Sequence, residues 1–112
     1  MWLFAGRGSS EFAEVLKISS YGGARENWPG LMGTYKLTNR KYSNLPVYKH
    51  LTEEAYLYVN ELDDWVVNDE LGIVATLFAH RQTNSDKPPR TGWNYADGDW
   101  ESDPSLTVQE VA

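Results

Sequence analysis

A two-residue alternation of apolar and polar side chains runs through the middle of the chain and most limits its fold. In Thr34–Thr38, Tyr35 and Leu37 fall on one side and three polar residues fall on the other. In Ala55–Val59, a leucine and a valine alternate with two tyrosines. Successive side chains of a β-strand point to opposite faces, whereas an amphipathic helix places its apolar residues three and four positions apart. The pattern therefore predicts β-strands.

Further strand segments are separated by Asn, Asp, Gly or Pro, and those between Thr34 and Ala79 recur at spacings typical of a meander. They are Val15–Ile18, Leu45–Lys49, Trp65–Val67, Ile73–Ala79 and Leu106–Val111. Paired glycines and a Pro-Gly step predict a long loop over Ser20–Leu31, and Thr91–Ser105 reads as an extended ribbon or an ordered loop. A short helix capped by Thr52 is the alternative for His50–Val59.

These segments predict an all-β fold: a small antiparallel meander sheet, or a partly open barrel or sandwich. We expect about five to seven short strands with long loops. The length of 112 residues fits one domain. We assign residues 11–112 to a single β domain and Met1–Ser10 to an N-terminal extension, native or introduced by cloning, because "GSSEF" is typical of a cloning junction.

Composition excludes several classes of function. The net charge of −6 argues against nucleic acid as a partner, because phosphate binding needs a basic patch. The absence of cysteine excludes disulfides, thiolate catalysis and cysteine-ligated metals. No apolar run approaches the roughly 20 residues of a membrane helix, so direct membrane insertion is not expected. Without cysteine or a signal-peptide pattern, an intracellular location is permitted but not fixed.

Candidate catalytic residues are few, and we predict no catalytic residue and no cofactor. His50 and His80 each follow a predicted strand, with no spacing that favours a shared metal. Carboxylates cluster around Trp65–Val67, but Asp and Glu in turns are common for backbone reasons. No nucleophile elbow and no phosphate loop is present. A hydrolase that uses Asp or Glu with one histidine remains a distant alternative.

Alternating acidic residues near the carboxyl end form a weak calcium candidate. Asp97, Asp99, Glu101 and Asp103 offer the hard oxygen ligands that Ca²⁺ prefers. The helix–loop–helix calcium pattern fails, however, because Ser102 and Val108 stand where it needs glycine and glutamate. A solvated acidic loop is the favoured interpretation, and we predict no metal.

The aromatic side chains divide into predicted core and predicted surface. We expect Tyr35, Tyr48 and Trp65 to pack within the sheet, since cross-strand aromatic pairs stabilise sheets. Four aromatic residues outside the predicted strands are candidates for binding a protein partner or stacking on a sugar: Trp28, Trp93, Trp100 and Tyr95.

Five short motifs, in order, resemble a known module. They are "PGLMGTYKL" (Pro29–Leu37), "NLPVYKH" (Asn44–His50), "AYLYV" (Ala55–Val59), "DWVV" (Asp64–Val67) and "DWESDPSLTV" (Asp99–Val108). Together they resemble a small β-rich module with the pattern G-x-Y, N-G-R-P-V-Y, Y-L-Y-Y, W-x-I/V and W-x-x-D-P, which recurs in proteins of marine protists and invertebrates. The chain departs from it with "SNL" where the module has N-G-R. The resemblance implies a structural or interaction module and brings no catalytic residues.

The sequence thus predicts a non-catalytic β-sheet interaction module that docks to other proteins as an accessory or structural subunit. A carbohydrate-binding module that uses the loop tryptophans is the alternative. Both hypotheses depend on whether those rings are exposed.

Overall fold

The structure is a computed structural model, and it describes residues 12–72, 76–81 and 85–111. Within these ranges, nine antiparallel strands form one sheet that curls into a half-barrel. The strands are β1 (Val15–Ser19), β2 (Gly33–Tyr42), β3 (Leu45–His50), β4 (Tyr56–Val59), β5 (Trp65–Asn68), β6 (Phe78–His80), β7 (Asn94–Asp97), β8 (Asp99–Ser102) and β9 (Thr107–Glu110). A short helix, α1 (Gly23–Asn27), and a 3₁₀ turn, Pro29–Leu31, lie between β1 and β2.

The strand order is β8-β7-β6-β5-β4-β3-β2-β1-β9. From β1 to β8 each strand pairs with the next, and β9 then returns to pair with β1. The meander therefore ends in two edge strands, β8 and β9. Short connections between consecutive antiparallel strands are what the frequent turn residues of the sequence favour.

The predicted all-β class is confirmed, but the predicted number of strands was too low. The segment expected to be a ribbon or an ordered loop contains β7 and β8, which form a hairpin around Gly98, a residue with φ of 73°. Glycine adopts this left-handed conformation without the steric cost that a side chain brings. Residues 73–75 of the predicted strand Ile73–Ala79, and the extension Met1–Ser10, lie outside the described residues.

The loop prediction for one segment was wrong, and the strand favoured over a helix in another was confirmed. The segment predicted as a long loop, Ser20–Leu31, contains α1 and the 3₁₀ turn. The alternative helix capped by Thr52 does not form: residues 51–54 are bends and β4 follows. Cross-strand pairing of Leu57 with Tyr48 and with Val67 explains why the strand conformation wins there.

The two-residue alternation separates two apolar clusters, one on each face of the sheet. The inner face carries the main core, which includes Leu16, Tyr35, Tyr48, Leu57, Trp65, Phe78, Trp93 and Val108. The outer face carries a smaller cluster formed by Val47, Tyr58, Val66 and Ala79. Tyr35, Tyr48 and Trp65 are at most 1% exposed, so these rings build the sheet as predicted.

The gap between the two edge strands is spanned by residues 103–106, which connect β8 to β9. Asp103, 4% exposed, accepts four hydrogen bonds there. The donors are the hydroxyl of Ser20 at 2.6 Å, the N–H of Ala24 at 3.1 Å, and the N–H and hydroxyl of Ser105 at 2.9 and 2.7 Å. Burial alone would raise the pKa of this carboxyl group, but the hydrogen bonds outweigh it, so the pKa of Asp103 lies below its usual value.

No helix in the described part of the chain has the length and apolar character needed to cross a membrane.

Candidate binding surface

Three of the tryptophans serve the interior of the protein. Trp65 and Trp93 are each 1% exposed, and Trp28 is half-buried against the main core. Each indole N–H donates to a backbone carbonyl: Trp28 to Ala96 at 2.7 Å, Trp65 to Ser85 at 2.9 Å and Trp93 to Pro89 at 2.7 Å. Buried tryptophans usually have such an acceptor, so packing and hydrogen bonding within the fold explain the presence of these three rings.

Trp100 differs from these three. Its side chain is 37% exposed and lies on the edge strand β8, whose four residues are all exposed. Within the described residues its indole N–H has no hydrogen-bond acceptor. This ring is therefore the tryptophan that the described structure leaves accessible.

Tyr95, the fourth predicted binding aromatic residue, is 9% exposed and belongs to the main core. Its ring packs against the backbone of Gly23 in α1, where a Cβ atom would overlap the hydroxyl. Burial, and then the carboxylates of Glu101 and Asp97, raise the pKa of Tyr95. Neither Tyr95 nor Trp93 therefore offers a ring face to solvent.

Trp100 borders a groove of about 180 Å³ on the outer face of the sheet. Val66 and Ala79 form part of its apolar surface, together with Leu62, whose side chain is 77% exposed. Its remaining lining is polar and consists of Asn60, Asp64, Thr76 and Arg81. The groove thus combines two exposed apolar side chains, Leu62 and Trp100, with a polar rim.

The loop that presents Leu62 is held in place by Asn60. The side-chain oxygen of Asn60 accepts the N–H of Leu62 at 2.9 Å and the N–H of Asp64 at 3.1 Å. Asp63 between them has φ of 64°, a left-handed conformation that Asp tolerates better than most residues. The exposed leucine therefore stands on an ordered turn.

Carboxylates are concentrated in two segments of the chain that contribute to the groove. The loop between β4 and β5 carries Glu61, Asp63 and Asp64, and the hairpin of β7 and β8 carries Asp97, Asp99 and Glu101. Glu61 accepts a hydrogen bond from the hydroxyl of Tyr42 at 2.8 Å, which lowers its pKa. In the groove itself Asp64 is accompanied by one basic side chain, Arg81, so the charges of its lining balance. The excess of carboxylates belongs to the hairpin, where Asp99 and Glu101 lie on the face of β8 opposite to Trp100.

The outer side of β8 carries backbone groups that do not pair with β7. Ala96 donates its N–H to Leu77 at 2.9 Å, on the β6 side, so its pairing with Trp100 is a non-hydrogen-bonded one. The N–H and C=O of Trp100 and, two residues on, of Ser102 consequently point away from the sheet. The N–H of Trp100 is met by the carboxylate of Asp99 at 2.8 Å.

The other edge, β9, is covered by a neighbouring segment of the chain. Val108 donates its N–H outward to the carbonyl of Arg90 at 3.0 Å. Beneath this contact lies a cleft of about 340 Å³ whose lining includes Tyr48, Lys87 and Glu110. Burial, and then the charge of Glu110, raise the pKa of Tyr48 to about 12.

The weak calcium candidate is divided by the fold. Asp97 and Asp99 pair at the tip of the β7–β8 hairpin and Glu101 is exposed on β8, whereas Asp103 is buried and saturated by its own hydrogen bonds. In the part of the chain that the structure describes, no group of three or more His, Asp or Glu side chains is placed to hold a metal ion.

The two histidines lie on different strands, and His50 has a structural environment. Its Nδ1 accepts the N–H groups of Thr52 and Glu53, each at 3.1 Å, so the ring proton is assigned to Nε2, which donates to the carbonyl of Met32 at 2.8 Å. Gly33, with φ of 122°, leaves room for this ring. His80 stacks edge-on against Trp93, with the ring centroids 5.9 Å apart.

Sequence reasoning missed two features that the structure shows. No prediction was made for Leu62, and its approach to Trp100 depends on the order of the strands, which has no local sequence signal. Asp103 was grouped with the calcium candidate, although the sequence Asp-Pro-Ser is typical of a turn in which Asp accepts the N–H two residues on. That turn is present.

Comparison with family models, curated proteins and solved structures finds no match to this chain. Its function must therefore be argued from its own surface.

Proposed function

We propose that this protein is a non-catalytic interaction module that docks to a protein partner through the groove around Trp100 and Leu62. The observation that carries the proposal is the exposure of Trp100, 37%, on an edge strand, beside a leucine that is 77% exposed. Tryptophan is enriched among the few residues that dominate binding energy at interfaces.

The contrast with the other tryptophans supports this choice. Trp28, Trp65 and Trp93 each give their N–H to a backbone carbonyl, so each contributes to holding the fold together. Trp100 makes no equivalent bond among the described residues, and its strand is exposed along its length. An accessible ring without a structural hydrogen bond suits a role in recognition.

The non-catalytic part of the proposal rests on how the titratable groups are used. Both ring nitrogens of His50 are engaged by the backbone, and Asp103 is saturated with donors inside the protein. Glu54, Asp69 and Glu70 line one groove together, and its lining contains no histidine. A hydrolytic site needs converging titratable groups.

Co-purification with variants of the full chain tests the proposal. Tagged wild type, Trp100→Ala and Tyr21→Ala are incubated with extract of the native source, and retained proteins are identified by mass. Tyr21 is the matched control, because it is an aromatic residue that is 88% exposed on a different part of the surface. We expect a protein retained by the wild type and by Tyr21→Ala but lost with Trp100→Ala; retention that does not depend on Trp100 would contradict the proposal.

Carbohydrate is the second candidate ligand, because Asn60, Asp64 and Arg81 line the groove beside the ring. Sugars bind by stacking on such a ring while polar side chains meet their hydroxyls. A glycan array with the same three proteins distinguishes the candidates. A sugar that binds the wild type and Tyr21→Ala, but not Trp100→Ala, would replace protein docking with carbohydrate binding.

A further inference from the structure

We infer that the partner contributes an extended segment of alternating basic and apolar side chains, which adds to the sheet as a tenth strand along β8. This inference rests on the proposed function, since it specifies the chemistry of what docks beside Trp100. It follows from three properties of β8: its outward backbone groups, its alternating side chains and its charge.

The backbone of β8 offers a pairing edge. The N–H and C=O groups of Trp100 and Ser102 point away from β7, as the hydrogen bond from Ala96 to Leu77 requires. Among the described residues, no backbone group bonds to this side of β8, whereas the corresponding side of β9 receives Arg90. An extended peptide can add a strand to an edge of this kind through main-chain hydrogen bonds.

The side chains of β8 alternate between two kinds. Glu101 pairs with the core residue Tyr95, so Glu101 and Asp99 lie on the inner side, whereas Trp100 and Ser102 lie on the outer side with the groove. Residues directly opposite on adjacent strands share a face and interact. A complementary strand therefore carries cationic side chains opposite the two carboxylates and apolar side chains beside Trp100.

Charge also argues against a second copy of this chain as the occupant. Two β8 strands paired with each other would bring Asp99 and Glu101 of one copy against the same carboxylates of the other. Like charges directly opposite on a sheet are destabilising. The carboxylate of Asp97, at the tip of the same hairpin, adds to this repulsion and attracts a basic segment instead.

Asp99 adds a further selection for a cation. In the free protein its carboxylate accepts the outward N–H of Trp100 at 2.8 Å, which satisfies a group that an incoming strand needs. A lysine or arginine that pairs with this exposed carboxylate draws it away and leaves the N–H available. A neutral or acidic strand does not draw the carboxylate away, so the N–H of Trp100 stays bonded to Asp99 and cannot pair with that strand.

A peptide array with purified wild-type protein tests the inference. The probes are acetylated heptapeptide amides that alternate Lys with Val, Leu or Phe, matched peptides with Glu in place of Lys, and scrambled peptides of the same composition. We expect the alternating basic peptides to bind and the Glu and scrambled sets not to bind. Binding should also weaken as salt rises from about 0.01 M to about 1 M, where the Debye length falls from about 30 Å to about 3 Å.

Two N-methylated versions of the best peptide test strand pairing without altering the protein. One version is methylated at the odd amides and the other at the even amides, so that only one of them blocks the amides facing β8. We expect one version to lose binding and the other to keep it. Equal binding by both would overturn strand addition, and failure of all basic peptides would overturn the inference as a whole.

Protein variants test the charges. Asp99→Asn with Glu101→Gln keeps the size of both side chains and leaves an acceptor for the N–H of Trp100, so it changes charge alone. We expect about a tenfold loss of affinity, equivalent to about 1.4 kcal/mol, and a flatter salt dependence. The control Glu14→Gln with Asp86→Asn removes the same charge from exposed positions elsewhere and should bind like the wild type.

The failures of the two proposals are distinguishable. A native protein whose retention depends on Trp100 but whose cross-linked segment is not basic and alternating would overturn the strand inference and leave docking intact. Absence of any Trp100-dependent protein partner would overturn the docking proposal itself. If β8 binds none of the basic peptides, its carboxylates serve only to prevent β8 from pairing with other strands.

Discussion

The two edges of the sheet differ in whether another part of the chain covers them. At β9, the outward N–H of Val108 is bonded to the carbonyl of Arg90, and a segment of the chain lies over the strand. At β8, no such segment is present among the described residues, and a carboxylate of the strand itself meets the N–H of Trp100. Natural sheets protect their edges by covering them or by charging them, and this protein does one at each edge.

One tryptophan is associated with each edge: Trp93 contacts the segment that covers β9, and Trp100 lies on β8. Trp93 is buried and Trp100 is partly exposed. Trp93 is buried and donates to the carbonyl of Pro89, next to the residue that caps β9, while Trp65 donates to Ser85 near the start of the same segment. Two core rings thus hold the cover of β9 in place. Among the described residues no segment lies over β8, so Trp100 remains accessible. Among the described residues, the chain itself thus covers β9 and leaves β8 exposed.

The largest expected effect distinguishes the two tryptophans by stability. We predict that Trp93→Ala lowers the free energy of unfolding by about 3–5 kcal/mol, because it empties a large space in the core and removes the hydrogen bond to Pro89. Trp100→Ala should cost less than about 1 kcal/mol, because its ring is partly solvated. Urea denaturation of both variants measures the difference.

Trp93→Phe is the matched control for this pair, because it keeps an aromatic ring in the core but removes the indole N–H. Its cost should fall between those of the two alanine variants. If Trp93→Ala proves as mild as Trp100→Ala, the cover of β9 is not anchored in the core and the contrast between the edges is lost.

The next effect concerns the connection that joins the two edges. Asp103→Asn should lower the free energy of unfolding by about 2–3 kcal/mol, because an amide cannot accept the four hydrogen bonds that the buried carboxylate receives. Asp97→Asn, at an exposed carboxylate on the hairpin tip, should change it by less than about 0.5 kcal/mol. Thermal and urea unfolding of both variants checks this ranking, and equal costs would contradict it.

The same carboxylate gives a pH dependence of known sign. Because the pKa of Asp103 is lower in the folded protein, its contribution to stability is complete above the unfolded value of about 3.9 and is lost as pH falls through the folded pKa. We predict that the stability difference between wild type and Asp103→Asn shrinks as pH falls below about 4. A difference that stays constant between pH 7 and pH 3 would show that ionisation of Asp103 does not stabilise the fold.

The smallest effect is local and leaves global stability unchanged. In native-state hydrogen exchange, the amide of Val108 should exchange slowly because Arg90 accepts it, whereas the outward amide of Ser102 should exchange quickly. The amide of Glu101, which faces β7, should be protected and serves as the control within the same strand. Equal protection of Val108 and Ser102 would mean that β8 is covered as well.

The strands of this fold could be predicted from the sequence more reliably than the order in which they pair. The alternation at Tyr35 and at Leu57 was enough to predict strands and the all-β class, because side-chain direction depends on neighbouring residues alone. The hairpin of β7 and β8 was missed because its acidic residues and Gly98 resemble a loop. The strand conformation of β7 depends on pairing with β6, a contact between residues distant in sequence.

The candidate surface shows the same limit. Trp93 and Trp100 have similar neighbours in sequence, with small or acidic residues before and polar residues after them, so nothing local separates a core ring from an exposed one. Their fates differ because Trp93 lies against the inner face of the sheet and Trp100 stands on its last strand. Which strand is last is decided by the return of β9 to β1, a property of the whole chain.

That return bears on how quickly the protein folds. The hydroxyls of Ser19 and Thr107, 88 residues apart in sequence, lie 3.1 Å from each other across the β1–β9 ladder. Hairpins between consecutive strands close short loops and form early, but this ladder must first overcome the entropy of closing nearly the whole chain. The step that seals β9 should therefore come late, and until then the rings beneath it, Tyr48 among them, remain open to water and to other unfolded molecules.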